Sequence, residues 1–396
     1  MAKPIFEKIA IGELENCTGA SEMNTLGCLG DMNSDKLADY VVCGRNGEMA
    51  WFENTGRRER WIKHRVADVR GQECGGCVFD LTGSGFSDII NGSDYSNDEL
   101  CWWENPGKNG GDWPRRTIAK TGKTQMHDTL VGEIKNDGEK YLAFTNQGGG
   151  TAIYCIPLPK DPFISPWPGL EMIADGLALP NLPHTWAKSK KQPEEGLAIG
   201  DVDNDGELEI VCGTSYYKWN VESGSWKASR FTDKIYITTK ILVADIDHDG
   251  KNEIILAEGD AYIYGHDEGG KLAWFKPNDD GGENWEEHMI DTGLLDAHSI
   301  GAADLCSNGH CDIFAGEIGA VRRGGNSSDY IIRPPRLMVY ENDGKGNFAK
   351  RHIIDEGTGI HEAALFDLDG DGKLDIVGKP LHGPGRWNIY AWYRVR

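Results

Sequence analysis

Acidic side chains recur in this chain at a spacing that wraps a cation. In Asp367-Leu-Asp369-Gly-Asp371-Gly-Lys-Leu-Asp375, carboxylates fall at positions 1, 3, 5 and 9, with glycine at 6. Short-range oxygens on a glycine-kinked loop, closed by a later carboxylate, suit a hard ion such as Ca²⁺. Asp201-Val-Asp203-Asn-Asp205-Gly-Glu-Leu-Glu209 and Asp245-Ile-Asp247-His-Asp249-Gly-Lys-Asn-Glu253 are close copies. A weaker copy places Asp31, Asn33, Asp35 and Asp39 at the same four positions. Two more run from Asp80 to Asp88 and from Asp304 to Asp312. In the seventh, Glu133 to Tyr141, Lys135 takes a ligand position, and its ammonium is expected to replace the ion.

A second set of chemical residues lies elsewhere in each repeat. His127-Asp128, Glu194-Glu195, His298 and His361-Glu362 each stand just before an apolar strand, with Glu73 and Lys240 in related positions. A repeat superposes such positions. His127, His298 and His361 are therefore expected to surround one point, where three imidazoles suit Zn²⁺ or another divalent metal, or act as a base near neutral pH. The alternative is that each imidazole bonds within its own unit. Tyr95, Tyr216, Tyr217, Arg322, Arg323, Lys379 and His382 belong to loops on the same side, and His184 and Trp186 to a proline-rich insertion. Aromatic faces and planar cations of this kind are what a sugar ring or uronate needs.

The elements that position these residues are strands. Apolar runs such as Asp39-Tyr-Val-Val-Cys43 and Ile376-Val-Gly378 flank every acidic loop. Aromatic strands follow, several ending in Glu-Asn (Asn54, Asn105, Asn342), and then alternating strands such as Trp61-Ile-Lys-His64-Arg-Val66. Units recurring every 45 to 65 residues or so, each with four strands, describe a propeller. Seven loops predict an all-β, seven-bladed β-propeller of four-stranded antiparallel blades. The last unit supplies only three strands, and Ile5-Phe6-Glu-Lys-Ile9-Ala is expected to close it as the fourth. The whole of 1–396 reads as one propeller domain with insertions at about 157–193 and 321–334.

Net charge is −22, which lacks the basic footprint of a nucleic-acid binder. No run of 18 apolar residues is long enough to span a membrane. Thiols inside strands (Cys43, Cys212) and the lack of an apolar leader point to a reducing, cytoplasmic compartment, the alternative being secretion with a leader removed. Cys74-Gly-Gly-Cys77 has the spacing of a metal knuckle but no second pair, and Cys306 and Cys311 flank one loop closely enough to bridge.

The hairpins resemble the FG-GAP or VCBS type of repeat. Such propellers serve as lectins, adhesion modules and enzymes, and Ca²⁺ in the loops is what the resemblance implies. Among enzymes, the layout resembles the propeller of aldos-2-ulose dehydratase and is similar in type to propeller polysaccharide lyases. No catalytic residue carries over by position. The resemblance implies a carbohydrate-active lyase or dehydratase. A divalent metal at the centre would assist β-elimination on a sugar or uronate-containing glycan. His127, His298, His361, His382, Tyr217, Arg322 and Lys379 are the candidate catalytic groups, and Tyr95, Tyr216, His184, Trp186 and Arg323 the candidate substrate contacts. A non-catalytic glycan-binding or adhesion propeller is the alternative, and a scaffold for a protein partner a third.

Overall fold

The structure, a computed structural model, describes residues 3–15, 24–148, 150–179, 192–193, 195–234, 236–237, 239–263, 265–279, 281–321, 330 and 332–395. Seven antiparallel sheets account for its strands. Blade 1 is Asn24–Gly30, Asp39–Gly44, Glu48–Asn54 and Trp61–Asp68. Blade 2 is Cys77–Phe79, Asp88–Gly92, Glu99–Trp103 and Arg115–Lys120. Blade 3 is Met126–Gly132, Tyr141–Asn146, Thr151–Pro157 and Glu171–Leu179, with Gln192–Pro193 as a short fifth strand. Blade 4 is Ala198–Gly200, Glu209–Cys212, Ser215–Asn220 and Ser225–Arg230, and blade 5 is Thr239–Ala244, Glu253–Glu258, Gly270–Pro277 and Trp285–Leu294. Blade 6 is Ala297–Ala303, Asp312–Glu317, Arg336–Glu341 and Lys350–Glu356, and blade 7 is His361–Phe366, Asp375–Lys379 and Asn388–Arg394.

Blade 7 is completed by Phe6–Glu13, which pairs with the strand Asn388–Arg394 from Phe6↔Arg394 to Glu13↔Asn388. The ring therefore closes as the sequence predicts. Each interface between neighbouring blades holds one apolar cluster, such as Trp51, Cys101 and Trp103 between blades 1 and 2, or Tyr40, Val377 and Tyr393 between blades 7 and 1. Middle strands are thus covered on both faces. That is why Asp39–Gly44 and Asp312–Glu317 are buried at every residue, whereas the outer strand Trp61–Asp68 alternates.

The acidic loops join first to second strands, and their first and ninth carboxylates close them by binding the loop's own amides. In blade 7, Asp367 accepts from the amides of Asp371 and Gly372, and Asp375 from those of Leu368 and Arg394. Asp80 and Asp88 do the same in blade 2, where the intervening positions carry no carboxylate. The hairpin is therefore closed by amide–carboxylate bonds that leave the third and fifth loop positions to other partners. The terminal asparagines of the third strands are staples between blades. Asn54, Asn105 and Asn342 donate to the carbonyls of Leu368, Met32 and Ile246, in each case in the loop of the preceding blade.

Only part of the proline-rich insertion belongs to the described residues. Residues 158–170 strap onto blade 2: Trp167 is 3% exposed in the cluster with Trp102, and the Ser165 hydroxyl donates to the Thr117 carbonyl. His184 and Trp186 lie outside the described residues, as do Glu194, Arg322 and Arg323. No helix among the described residues is long and apolar enough to cross a membrane.

Candidate functional site at the propeller hub

The first strands line the axis, and the residues at their N-terminal ends form a hub on the side away from the acidic loops. Blades 3, 6 and 7 enter the hub irregularly. Their first strand pairs are interrupted between Met126 and Thr129, Ala297 and Ser299, and His361 and Ala364. Gln125, Asp296 and Glu362 adopt φ of 64°, 57° and 51°, in the left-handed region. Bulges re-aim side chains, and strained backbone clusters at functional sites. Here both fall where the histidines stand. Gly75, also left-handed, lets the blade 2 entry lie against the His127 carbonyl, since a Cβ there would sit 1.5 Å from that oxygen. Gly76 is pressed on the Ile90 carbonyl, where a Cβ would sit 2.4 Å from the oxygen. The Cys-Gly-Gly-Cys spacing is thus a packing motif, and its thiols are free.

The three imidazoles do come together. Ring centroids of His127 and His298 are 6.3 Å apart, and those of His298 and His361 4.8 Å. Their nitrogens are committed differently from the expected three-imidazole set. His361 Nδ1 is 2.9 Å from the Lys379 ammonium, and its Nε2 lies 3.7 Å from the Cys74 sulfur. His127 Nδ1 is 3.2 Å from Asp128 and its Nε2 3.6 Å from Glu195. The ligand atoms that cluster within 4.8 Å of one another belong to His298, Glu195 and Asp260. His298 Nε2 is 2.9 Å from Asp260, and its buried Nδ1 has no hydrogen-bond partner among the described residues. Two carboxylates and an imidazole fit a divalent transition metal.

A cavity of about 200 Å³ on the axis is lined by Asp128, Lys240, His298, Ser299 and Glu362, among others. Lys240 joins the two carboxylates, 3.5 Å from Asp128 and 3.3 Å from Glu362. His361 and Lys379 are fully buried behind this lining, so among the described residues His298 is the expected catalytic group that lines the cavity. Burial works against every charge here. Against it, Glu362 and Asp128 hold Lys240 above its ordinary value, and Lys240 and His127 hold Asp128 far below the carboxylate range. Glu195 has less compensation, and burial pushes it up to about 8. Burial likewise brings Lys379 down to about 8, and burial together with the Lys379 charge sends His361 well below the ordinary imidazole value.

Other expected site residues stand elsewhere. Tyr217 is a strand residue paired with Ile210, 1% exposed in the core between blades 3 and 4. Tyr216 packs between blades 4 and 5 and donates to the Gly282 carbonyl. Both were expected in a loop, but Cys212 pairs with Ser215 across a tight turn, so the strand begins earlier. Tyr95 does lie on the hub side, 58% exposed, with the Arg45 guanidinium 5.7 Å from its ring. His382 bonds the Gly319 carbonyl and burial lowers it.

The acidic loops carry their own counter-charges. Lys218 lies 3.1 Å from Asp203 and 3.2 Å from Glu209, and also contacts Asp205. Lys276 lies 2.6 Å from Asp249 and contacts Asp247. An ammonium therefore stands within the donor sets Asp201, Asp203, Glu209 and Asp245, Asp247, Glu253, each of which clusters closely enough to hold a metal. In blade 7, Asp367, Asp369 and Asp371 form a third such group, met by Arg58 of blade 1 at Asp369 (2.5 Å) and by Lys373 at Asp371 (2.6 Å). Lys135 does not serve its own loop. It is 2.5 Å from Glu171 and sits 3.9 Å from the Trp219 ring centroid.

A closed ring of seven four-stranded sheets defines a β-propeller. Residues 320–378 match the model of the FG-GAP-like repeat. No curated protein sequence matches the chain. Among solved structures, the BP39L lectin from Burkholderia pseudomallei is 12% identical, with 94% of this chain and 96% of that one covered at a TM-score of 0.58. BBS1N, solved in complex with ARL6DN, is 8% identical, with coverage of 100% and 98% and a TM-score of 0.53. These likenesses concern the fold.

Proposed function

We propose that the hub is a catalytic site for elimination on a carbohydrate, of the lyase or dehydratase class. The observation that carries this reading is the axial cavity in which His298, Lys240, Asp128 and Glu362 converge. Its volume of about 200 Å³ falls below the roughly 300–1,000 Å³ of sites for drug-sized ligands, so it suits about one sugar ring. Glu195, Asp260 and His298 would hold a divalent metal, which when bound polarises a carbonyl or uronate carboxylate and acidifies the neighbouring C–H. Glu362, on strained backbone at the cavity wall, is placed to accept that proton. Lys240 keeps its charge and faces the negative charge that develops. Asp128, a weak base beside Lys240 and His127, accepts hydrogen bonds from sugar hydroxyls. His127 and the Lys379–His361 pair hold the lining carboxylates and His298 in place from behind.

The test is a metal assay on the purified protein alongside the near-ultraviolet absorbance of unsaturated products from uronate-containing sugars. Glu362→Gln is expected to abolish turnover with the hub metal retained, and His298→Ala to abolish turnover and lower the metal content by the one ion of the hub. Undiminished turnover in either variant ends the proposal. One observation favours binding without turnover: a groove of about 620 Å³ between blades 1 and 2, lined by Trp51, His64, Arg65, Lys108 and Trp113. On that reading sugars bind at the groove and hub substitutions leave affinity unchanged.

A further inference from the structure

Blade 6 rebuilds with other chemistry the pocket that an ammonium fills in blades 4 and 5. The strand registers align the positions. Lys218 and Lys276 each follow the third-strand residue (Tyr217, Phe275) that pairs with the residue after the ninth carboxylate (Ile210, Ile254). In blade 6 that pair is Ile313↔Tyr340, and the next residue is Glu341. The third loop position, Asp203 and Asp247 in blades 4 and 5, is Cys306. His352 of the fourth strand brings its Nε2 to 2.9 Å from Glu341.

We propose that Cys306, Glu341 and His352 form a binding site for Zn²⁺ or a chemically similar transition metal, on the rim opposite the hub. Their sulfur, carboxylate oxygen and imidazole nitrogen all lie within 4.8 Å of one another. Cys306 and Glu341 are each 7% exposed, and the thiol is free rather than bridged to Cys311 as its spacing suggests. Blades 4 and 5 meet their acidic loops with a lysine. Blade 6 replaces that lysine by a carboxylate, and Arg394 serves its loop instead, donating to the Asp304 carbonyl and the Ser307 hydroxyl rather than to Glu341. Lys350 reaches the other Glu341 oxygen at 2.7 Å, but from a side chain 56% exposed to solvent. Thiolate and imidazole select a borderline-soft ion over Ca²⁺. Three protein ligands leave the fourth tetrahedral position to water. On binding, the thiol releases its proton to solvent as the sulfur–metal bond forms. Blade 1 supplies an internal control. Its Glu53–His64 pair, 2.6 Å apart, has the same form, but Asn33 stands where blade 6 has the thiol.

The experiment titrates Co²⁺ and then Zn²⁺ into the whole chain after stripping with chelator. The expected result is a thiolate-to-cobalt charge-transfer band at one equivalent, displaced by Zn²⁺. The band is lost in Cys306→Ser and kept in His298→Ala, Cys74→Ser and His64→Gln. His352→Gln shifts the visible cobalt bands, which gives a second reading if Cys306→Ser does not fold. Absence of the band, its persistence in Cys306→Ser, unshifted visible bands in His352→Gln, or loss of the charge-transfer band in Cys74→Ser or His298→Ala overturns the proposal. None of these outcomes depends on turnover at the hub.

Discussion

Asn342 offers the sharpest test of how the blades are held together. Its amide is 1% exposed and uses all four of its hydrogen-bonding positions. The Nδ2 group donates to the Ile246 carbonyl of blade 5 and the Cys311 carbonyl of its own blade, both at 2.8 Å. Oδ1 accepts from the amides of Gly344 at 2.9 Å and Gly346 at 3.1 Å. Alanine deletes four bonds. Each contributes about 1 kcal/mol net, and up to about 3 where the partner stays dry. The loss should be about 4 kcal/mol, a large share of the roughly 5–15 kcal/mol typical of a folded domain. Asn342→Asp keeps the shape and both acceptors but turns an oxygen toward two carbonyls. It should do at least as much damage at neutral pH and recover in part when protonated. Denaturant unfolding followed by tryptophan fluorescence gives the midpoint and slope. Asn347→Ala, an exposed change in the same turn, serves as control and should stay within about 0.5 kcal/mol. If Asn342→Ala loses less than about 1 kcal/mol at an unchanged slope, the staple between blades is not what holds this interface.

Two further predictions follow from buried charge. Lys218→Met and Lys276→Met leave the acidic loops of blades 4 and 5 without their ammonium, so chelator should lower the melting temperature of the variants more than that of the parent. Ca²⁺ at a hundred times its dissociation constant should restore about 2.7 kcal/mol at each such loop, and equal chelator sensitivity in parent and variants would discount the internal counter-ion. Lys379 titrates at about 8 when folded, below its unfolded value. A depressed lysine binds fewer protons in the folded state, so its stabilisation is complete above the unfolded value and fades as pH falls through about 8. The stability of the parent relative to Lys379→Met should therefore rise with pH between 8 and 10, and a difference that stays flat would refute the buried titration.

The ring and its closure were legible because their signals are periodic. The first and ninth acids mark six of the seven hairpins, and the apolar alternation of residues 5–10 fits the edge strand that blade 7 lacks. The opposing positions of hub and loops followed from that order. The composition of the hub was harder to read. Asp128, Glu195 and Glu362 stood out beside the imidazoles, but the metal and the base were assigned to the imidazoles alone, although a bulge gives adjacent residues different directions, so any of them can face the axis. Tyr216 and Tyr217 were misplaced because a two-residue turn, Gly213 and Thr214, leaves no loop to hold them. The lysines in the loops of blades 4 and 5 sit on third strands, far along the chain from the acids they meet. Only the pairing register brings them there.

Pairing Phe6–Glu13 with Asn388–Arg394 joins segments separated by most of the chain. During synthesis the segment made early waits unpartnered until the other emerges, and a contact of such long range forms slowly. Until then the Asn388–Arg394 strand presents a bare edge on which a second copy's N-terminal segment can dock. Crowded, rapid production should therefore favour chains that exchange this strand, and dilution during refolding should favour rings that latch on themselves.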